Sequence, residues 1–161
     1  MILICSISSF IFAGNEDRAG SAGASQLLIN PWCRSSALGD ANVASSMGLE
    51  ATFTNIAGLA QTDKTQLKFN FTNWLGSAGI PFSSAGIAQR ISSSSVIALS
   101  VQSMSFGDNN ITTVENPEGG IGVFSPKSSI INFGYAKLFN RNVSGGLNFK
   151  LISESISNLS A

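Results

Sequence analysis

Residues 129–139 read Ser-Ile-Ile-Asn-Phe-Gly-Tyr-Ala-Lys-Leu-Phe. From Ile131 the apolar residues fall on every second position: Ile131, Phe133 and Tyr135 alternate with Asn132, Gly134 and Ala136. Successive side chains of a strand point to opposite faces, so this period predicts a β-strand with one aromatic, apolar face and one small or polar face. The same pattern recurs on both sides. Leu67, Phe69 and Phe71 alternate with Lys68, Asn70 and Thr72, and the run ends at Trp74. Residues 95–106 set Ile97, Leu99 and Val101 against Ala98, Ser100 and Gln102, and residues 143–156 set Val143, Leu147, Phe149 and Leu151 against Ser144, Asn148 and Lys150. Residues 80–91 are a further strand candidate. Their alternation shifts phase near Ser83 and Ser84, which predicts a β-bulge there, and Pro81 argues for an edge or irregular position.

The chain has 161 residues, enough for one domain, and carries 9 basic and 9 acidic side chains with no histidine. The net charge of +0 gives no electrostatic footprint for nucleic acid. Charged residues make up 11%, against about a quarter in a typical soluble domain. No apolar run reaches the ~18 residues of a membrane-spanning helix. The alternating runs instead match the ~9–11 residues with which a tilted strand crosses a bilayer. A Lys on the lipid side of a barrel costs about 2–4 kcal/mol at the midplane. Lys68 and Lys150 therefore assign the polar face to a lumen and the Phe-bearing face to lipid, and Phe133→Lys should damage assembly more than Asn132→Lys. In a soluble β-sandwich the same pattern turns the Phe face into a core. Alternation by itself does not separate the two.

Connection lengths carry further information. Phe139-Asn140-Arg141-Asn142 and Ser92-Ser93-Ser94 are short, whereas residues 107–128 form a long stretch containing Asp108, Glu115, Glu118 and Lys127. Short turns at one end and longer loops at the other fit an outer-membrane barrel whose first strand runs outward. The connection near Gly76 and Gly79 is shorter than that parity favours.

Residues 1–12 (MILICSISSFIF) have the length and apolarity of a signal-peptide h-region, and Ala13-Gly14 supplies small residues for cleavage. Residues 1–13 are accordingly read as a signal peptide whose basic start is missing, the alternative being a buried apolar strand. Removal of that segment takes Cys5 with it and leaves Cys33 unpaired. Between them, Asn30-Pro31 signals a turn, and Trp32 suits either a membrane interface or a core.

Residues 34–60 (RSSALGDANVASSMGLEATFTNIAGLA) are dominated by Gly, Ala and Ser and lack the period of two. Small residues let backbones approach closely, and Gly39, Gly48 and Gly58 are free to take positive φ. Arg34, Asp40, Asn42, Glu50 and Asn55 are costly in hydrocarbon and easily paired against a polar wall. The segment is expected to pack inside or under the sheet, with no transmembrane strand of its own. Arg34, Ser35, Ala37, Leu38, Gly39 and Ala41, followed by Asn55, Ala57, Gly58 and Leu59, resemble the N-terminal segment of the PorV/PorQ family of outer-membrane proteins, which is related to FadL-like barrels. Ile56 stands where that family usually has Pro. The resemblance continues through Thr72 to Leu75, Ser105 to Asp108, Thr112 to Val114, Asn116-Pro117-Glu118-Gly119 and Ser153 to Ile156.

The resemblance implies an all-β fold, the N-terminal portion of an antiparallel transmembrane β-barrel. Residues 14–66 would be a periplasmic or plug segment and residues 67–161 the first strands of the barrel. These are too few to close it, since known barrels have at least ~8 strands. It further implies the outer membrane of a Gram-negative bacterium and a part in type IX protein secretion. Exported cargo and other secretion subunits would then be partners beside outer-membrane lipid. Arg34, Gly39, Asp40, Asn55 and Gly58 are the expected plug motif. Asp108, Asn116, Pro117 and Glu118 form the candidate extracellular loop.

Two other functions stay open: a FadL-like transporter of hydrophobic small molecules and a structural or adhesive β-protein. With no histidine, Ser-His-Asp and Cys-His catalysis are excluded, and neither cofactor nor metal is expected. Asp108, Asn109, Asn110, Glu115 and Glu118 offer oxygen ligands without EF-hand spacing and are read as a solvated acidic loop.

Overall fold

A computed structural model describes residues 24–114, 116–120, 122–156 and 159–160. The signal-peptide reading of residues 1–13 lies outside the described residues, as do Cys5 and Glu115. The fold is all-β apart from short helical turns. Strands β1 (Thr65–Trp74), β2 (Ile80–Arg90), β3 (Ser95–Ser105), β6 (Lys127–Leu138), β7 (Ser144–Ile156) and the short β8 (Leu159–Ser160) form one sheet in the order β1-β2-β3-β6-β7-β8. Every pairing is antiparallel. The strands form an open sheet among the described residues. The stretch after β3 folds into a small hairpin, β4 (Asn109–Asn110) and β5 (Val123–Phe124), closed by Ile111 N–H donating to Gly122 O at 2.8 Å.

The two faces of the sheet are chemically opposite, because the register aligns like with like. On one face, Leu67, Ile87, Leu99, Phe133 and Phe149 form a row across five strands, and Phe69, Ala85, Val101, Ile131 and Leu151 form the next. This face is open: the large apolar side chains of these two rows range from 39% exposed at Ile87 to 77% at Phe69. The other face carries rows such as Lys68, Gly86, Ser100, Asn132 and Lys150. Residues 24–64 cover it.

That covering segment contains no strand. Helix α1 (Cys33–Ala37) and 3₁₀ turns at Ser25–Leu28, Gly48–Thr52 and Ile56–Gln61 lie on the sheet. Trp32, Leu49, Leu59 and Ala60 from the segment meet Ala88, Val96, Ala98 and Ala136 from the strands, and all are buried. Small sheet residues make room for larger knobs from above, as interior packing density requires. Ile56 lies over bare backbone at Gly134 and Gly146. A proline in its place would be shorter and stiffer and would leave that hollow unfilled.

Two expectations, a bulge in β2 and a water-facing Asn132, need correction. The register of β2 runs unbroken through Ser83 and Ser84 on both sides, so no bulge interrupts it. The phase shift arises because Phe82 is buried on the covered face, beside Met104 and Ile130 beneath Gln26. Of the three glycines free to take positive φ, Gly39 at 58° and Gly48 at 65° do so, and Gly58 instead lies against the Ser46 backbone. Asn132 is not a water-facing lumen position: it is 1% exposed under the segment. The long stretch after β3 folds back on itself in the β4–β5 hairpin. Of the two places open to Trp32, the core is the one it takes, at 2% exposed. The first strand begins at Thr65, two residues before its first apolar position.

Candidate functional site: the segment over the polar face

The covering segment is fixed by polar contacts placed in sequence order along the sheet. At the end near β4–β5, Gln26 Nε2 donates to Ser128 Oγ at 3.1 Å and to the Glu154 carboxylate. Pro31 O then accepts from Asn70 Nδ2 at 2.6 Å and from Ser84 Oγ at 3.0 Å. Pro31 has no N–H, yet its carbonyl collects two donors from neighbouring strands.

Next comes Glu50, 5% exposed and on the 3₁₀ turn at Gly48–Thr52. Its Oε1 pairs with Lys68 Nζ from β1. Its Oε2 accepts from Ser35 Oγ at 3.1 Å and lies 3.8 Å from Arg34 Nη1. Asn42 Nδ2 donates to Ser35 Oγ at 2.9 Å and orients that hydroxyl. A buried carboxylate is tolerable only with such partners, and removing one leaves charge unpaired at low dielectric. We expect Lys68→Met to destabilise the docked segment by about 2 kcal/mol, below the usual range for a broken buried pair because Arg34 remains nearby. The double variant Glu50→Met/Lys68→Met should recover most of the loss. Denaturant midpoints of the two variants against wild type check this, and equal losses would contradict it.

Further along, Gln66 Oε1 accepts from Leu49 N at 2.7 Å, and Asn148 Nδ2 donates to Thr52 O at 2.7 Å. Back in the row of Lys68, Lys150 Nζ stands 5.2 Å from the centroid of the Phe53 ring, within reach of a cation–π contact. At the start of β1, Arg90 donates to four carbonyls: Nε to Thr62 O at 2.7 Å and Asp63 O at 2.9 Å, Nη2 to Ala60 O at 2.9 Å and Nη1 to Ser93 O at 2.9 Å. A planar guanidinium with five fixed donors suits this junction better than an ammonium.

The five expected motif residues fall into two groups. Arg34, Gly39 and Asp40 belong to α1 and its exit. Gly39 and Asp40 both take left-handed backbone, and Asp40 Oδ1 accepts from Asn30 Nδ2. A short Asp is among the few side chains that tolerate that region. Asn55 and Gly58 form a second grip. Asn55 caps the turn at Ile56–Gln61 by accepting from Ala57 N at 3.3 Å, and its amide donates to Val43 O at 3.4 Å. A Cβ on Gly58 would overlap the carbonyl oxygen of Ser46. The groups do not touch directly; residues 42–50 join them.

The candidate loop residues sit apart from that motif. Asp108 accepts from Ser125 Oγ across the base of the β4–β5 hairpin. Asn116 holds the turn, its N–H donating to Thr113 O at 3.1 Å and its carbonyl accepting from Gly119 N at 3.2 Å, while Pro117 and Glu118 are exposed at its tip. Among the described residues no group of three or more His, Cys, Asp or Glu is placed to hold a metal.

The Glu50–Lys68 pair and the Arg90 clamp are the site features that sequence reading misses. Glu50 stood out as a polar residue in need of a partner, and Lys68 as a lumen-side cation. Nothing in their spacing linked them. No family model, curated protein or solved structure matches the chain.

Proposed function

We propose that the chain is part of an outer-membrane β-barrel protein of the PorV/PorQ type, which engages exported cargo in type IX secretion. The observation that carries the reading is the inverted sheet. Its polar face is buried and its apolar face is exposed. Of the six charged residues on the long strands, Lys68, Arg90, Lys150 and Glu154 share the covered face. The other two, Lys127 and Lys137, stand on the open face at the two ends of β6. They lie 10 residues apart. At ~3.4 Å per residue and a tilt of ~40° that interval spans ~26 Å, against ~25 Å for the apolar band of such barrels. Sheets that fold in water have no reason to confine charge in this way.

The part in secretion rests on the motif resemblance, supported by the structural use of Asn55 and Gly58 as a grip on the covering segment. The full-length protein is expected to fractionate with the outer membrane and to need detergent for extraction. On an affinity resin it should retrieve exported proteins that bear the C-terminal secretion signal. High recovery in the soluble periplasm would contradict the membrane reading.

One observation favours a FadL-like transporter as the second reading. Ser100 Oγ and both ends of the Asn132 amide are buried without a hydrogen-bond partner beneath the segment. Each such group costs about 1–3 kcal/mol, which favours a segment that lifts and lets water in. Uptake of a labelled fatty acid without cargo retrieval would transfer the function to that reading.

A further inference from the structure

The open face is not uniform. On β2 its outward residues become small toward the β4–β5 end, where Ala85 stands between Phe69 and Val101 and Ser83 between Phe71 and Ser103. A shallow groove of about 520 Å³ follows, walled by Leu67 and Phe69 on one side and Leu99 and Val101 on the other, with Ile87 at one end. It leads into a smaller hollow of about 120 Å³ where Ser83 and Ser103 take over the walls. Ser83, Ser103, Ser129 and Ser153 stand in register across four strands, so the groove ends at a row of hydroxyls. One row further out, Lys127 faces Ser105. Lys127 is exposed and makes no ion pair among the described residues.

We propose that this groove seats one acyl chain of an anionic lipid, with the lipid carbonyl at the serine row and its phosphate at Lys127. The order along the surface is apolar groove, neutral donors, cation, with steps of about 7 Å along the strand. A phospholipid presents the matching order: tail, ester carbonyl, phosphate. Serine hydroxyls donate to carbonyl oxygens, and an ammonium pairs with phosphate as a point charge. The inference rests on the membrane reading above, because in water the groove would be open to solvent and the tail would have no bilayer to come from.

The test uses the full-length protein reconstituted in phosphatidylcholine vesicles with and without phosphatidylglycerol. Native mass spectrometry then counts the phosphatidylglycerol retained per protein. Lys127→Gln should lower retention about fivefold, the equivalent of the ~1 kcal/mol that one Lys near an anionic surface supplies. Ala85→Phe, which fills the groove from the lipid side, should lower it several-fold. Leu147→Phe, which adds bulk elsewhere on the same face, should leave it unchanged. Equal retention by wild type and Ala85→Phe would overturn the groove, and equal loss in all three variants would overturn its position. Failure of the wild-type protein to enter either vesicle would overturn the membrane reading, and the lipid seat with it.

Discussion

Phe133→Lys is expected to abolish assembly in bilayers, while Ile152→Lys assembles at close to the wild-type yield. Phe133 is 47% exposed in the central apolar row of the open face, flanked by Leu99 and Phe149. Ile152 is 39% exposed on the opposite face, between Lys150 and Glu154 in the alternation of β7. Both positions are accessible, so neither change overpacks a core. What differs is the medium. A Lys at the midplane of the lipid face costs about 2–4 kcal/mol, whereas one beside Glu154 on the polar face meets water and a carboxylate. Asn132, the natural comparator from alternation alone, is the wrong one, because its replacement by Lys would bury a charge under the covering segment. The yield of folded protein in bilayers, read by heat-modifiable migration on gels, checks the contrast. If Phe133→Lys folds as well as Ile152→Lys, the open face does not meet lipid.

Gly58→Val should be the most disruptive change in the covering segment, costing at least about 3 kcal/mol, the upper end of ordinary overpacking, because the obstacle is backbone. A Cβ at this position would overlap Ser46 O and press on the Ala51 side chain. Neither moves easily, since Ala51 is fully buried and Ser46 is 2% exposed. Gly39→Ala is the informative comparison. Its backbone is left-handed at φ 58° with open space around it, so its cost is limited to the ~1–2 kcal/mol of that conformation. Gly48 would serve less well, because it combines positive φ with the close approach of Gln66. Limited proteolysis of residues 24–64 follows segment release directly. Wild-type resistance in Gly58→Val would remove the Asn55–Gly58 grip as a structural clasp.

Sequence reading located all five long strands to within about two residues, for a physical reason. In four of them the outward face is apolar at every second position through the middle of the strand, and no helix produces that period. It failed where a face is mixed. Phe82, Met104 and Ile130 are apolar residues on the covered face, so β2 imitated a slipped register although its pairing is regular. The covering segment was legible as compact and strandless from its small residues, but its partners were not. The separation of Glu50 from Lys68, or of Ala60 from Arg90, follows no local period and depends on where a 3₁₀ turn comes to rest on the sheet. Gly58 was legible as a constrained position, whereas its reason, close approach rather than positive φ, needed the position of Ser46.

The sequence order of the segment's attachments has a mechanical consequence. Gln26 binds near the β4–β5 end, Pro31 one step further down, Glu50 at mid-sheet, Thr52 beyond it, and Ala60, Thr62 and Asp63 at Arg90, where β1 begins. A pull on the N-terminal side of Gln26 loads these links one after another. The segment therefore unzips under low force, where a shear geometry would load every link together and resist far more. The last link to be reached is one guanidinium that binds three carbonyls of the segment, and it lies at the junction with the sheet. Tension from that side is absorbed by peeling the segment and reaches β1 only after the Arg90 clamp has given way.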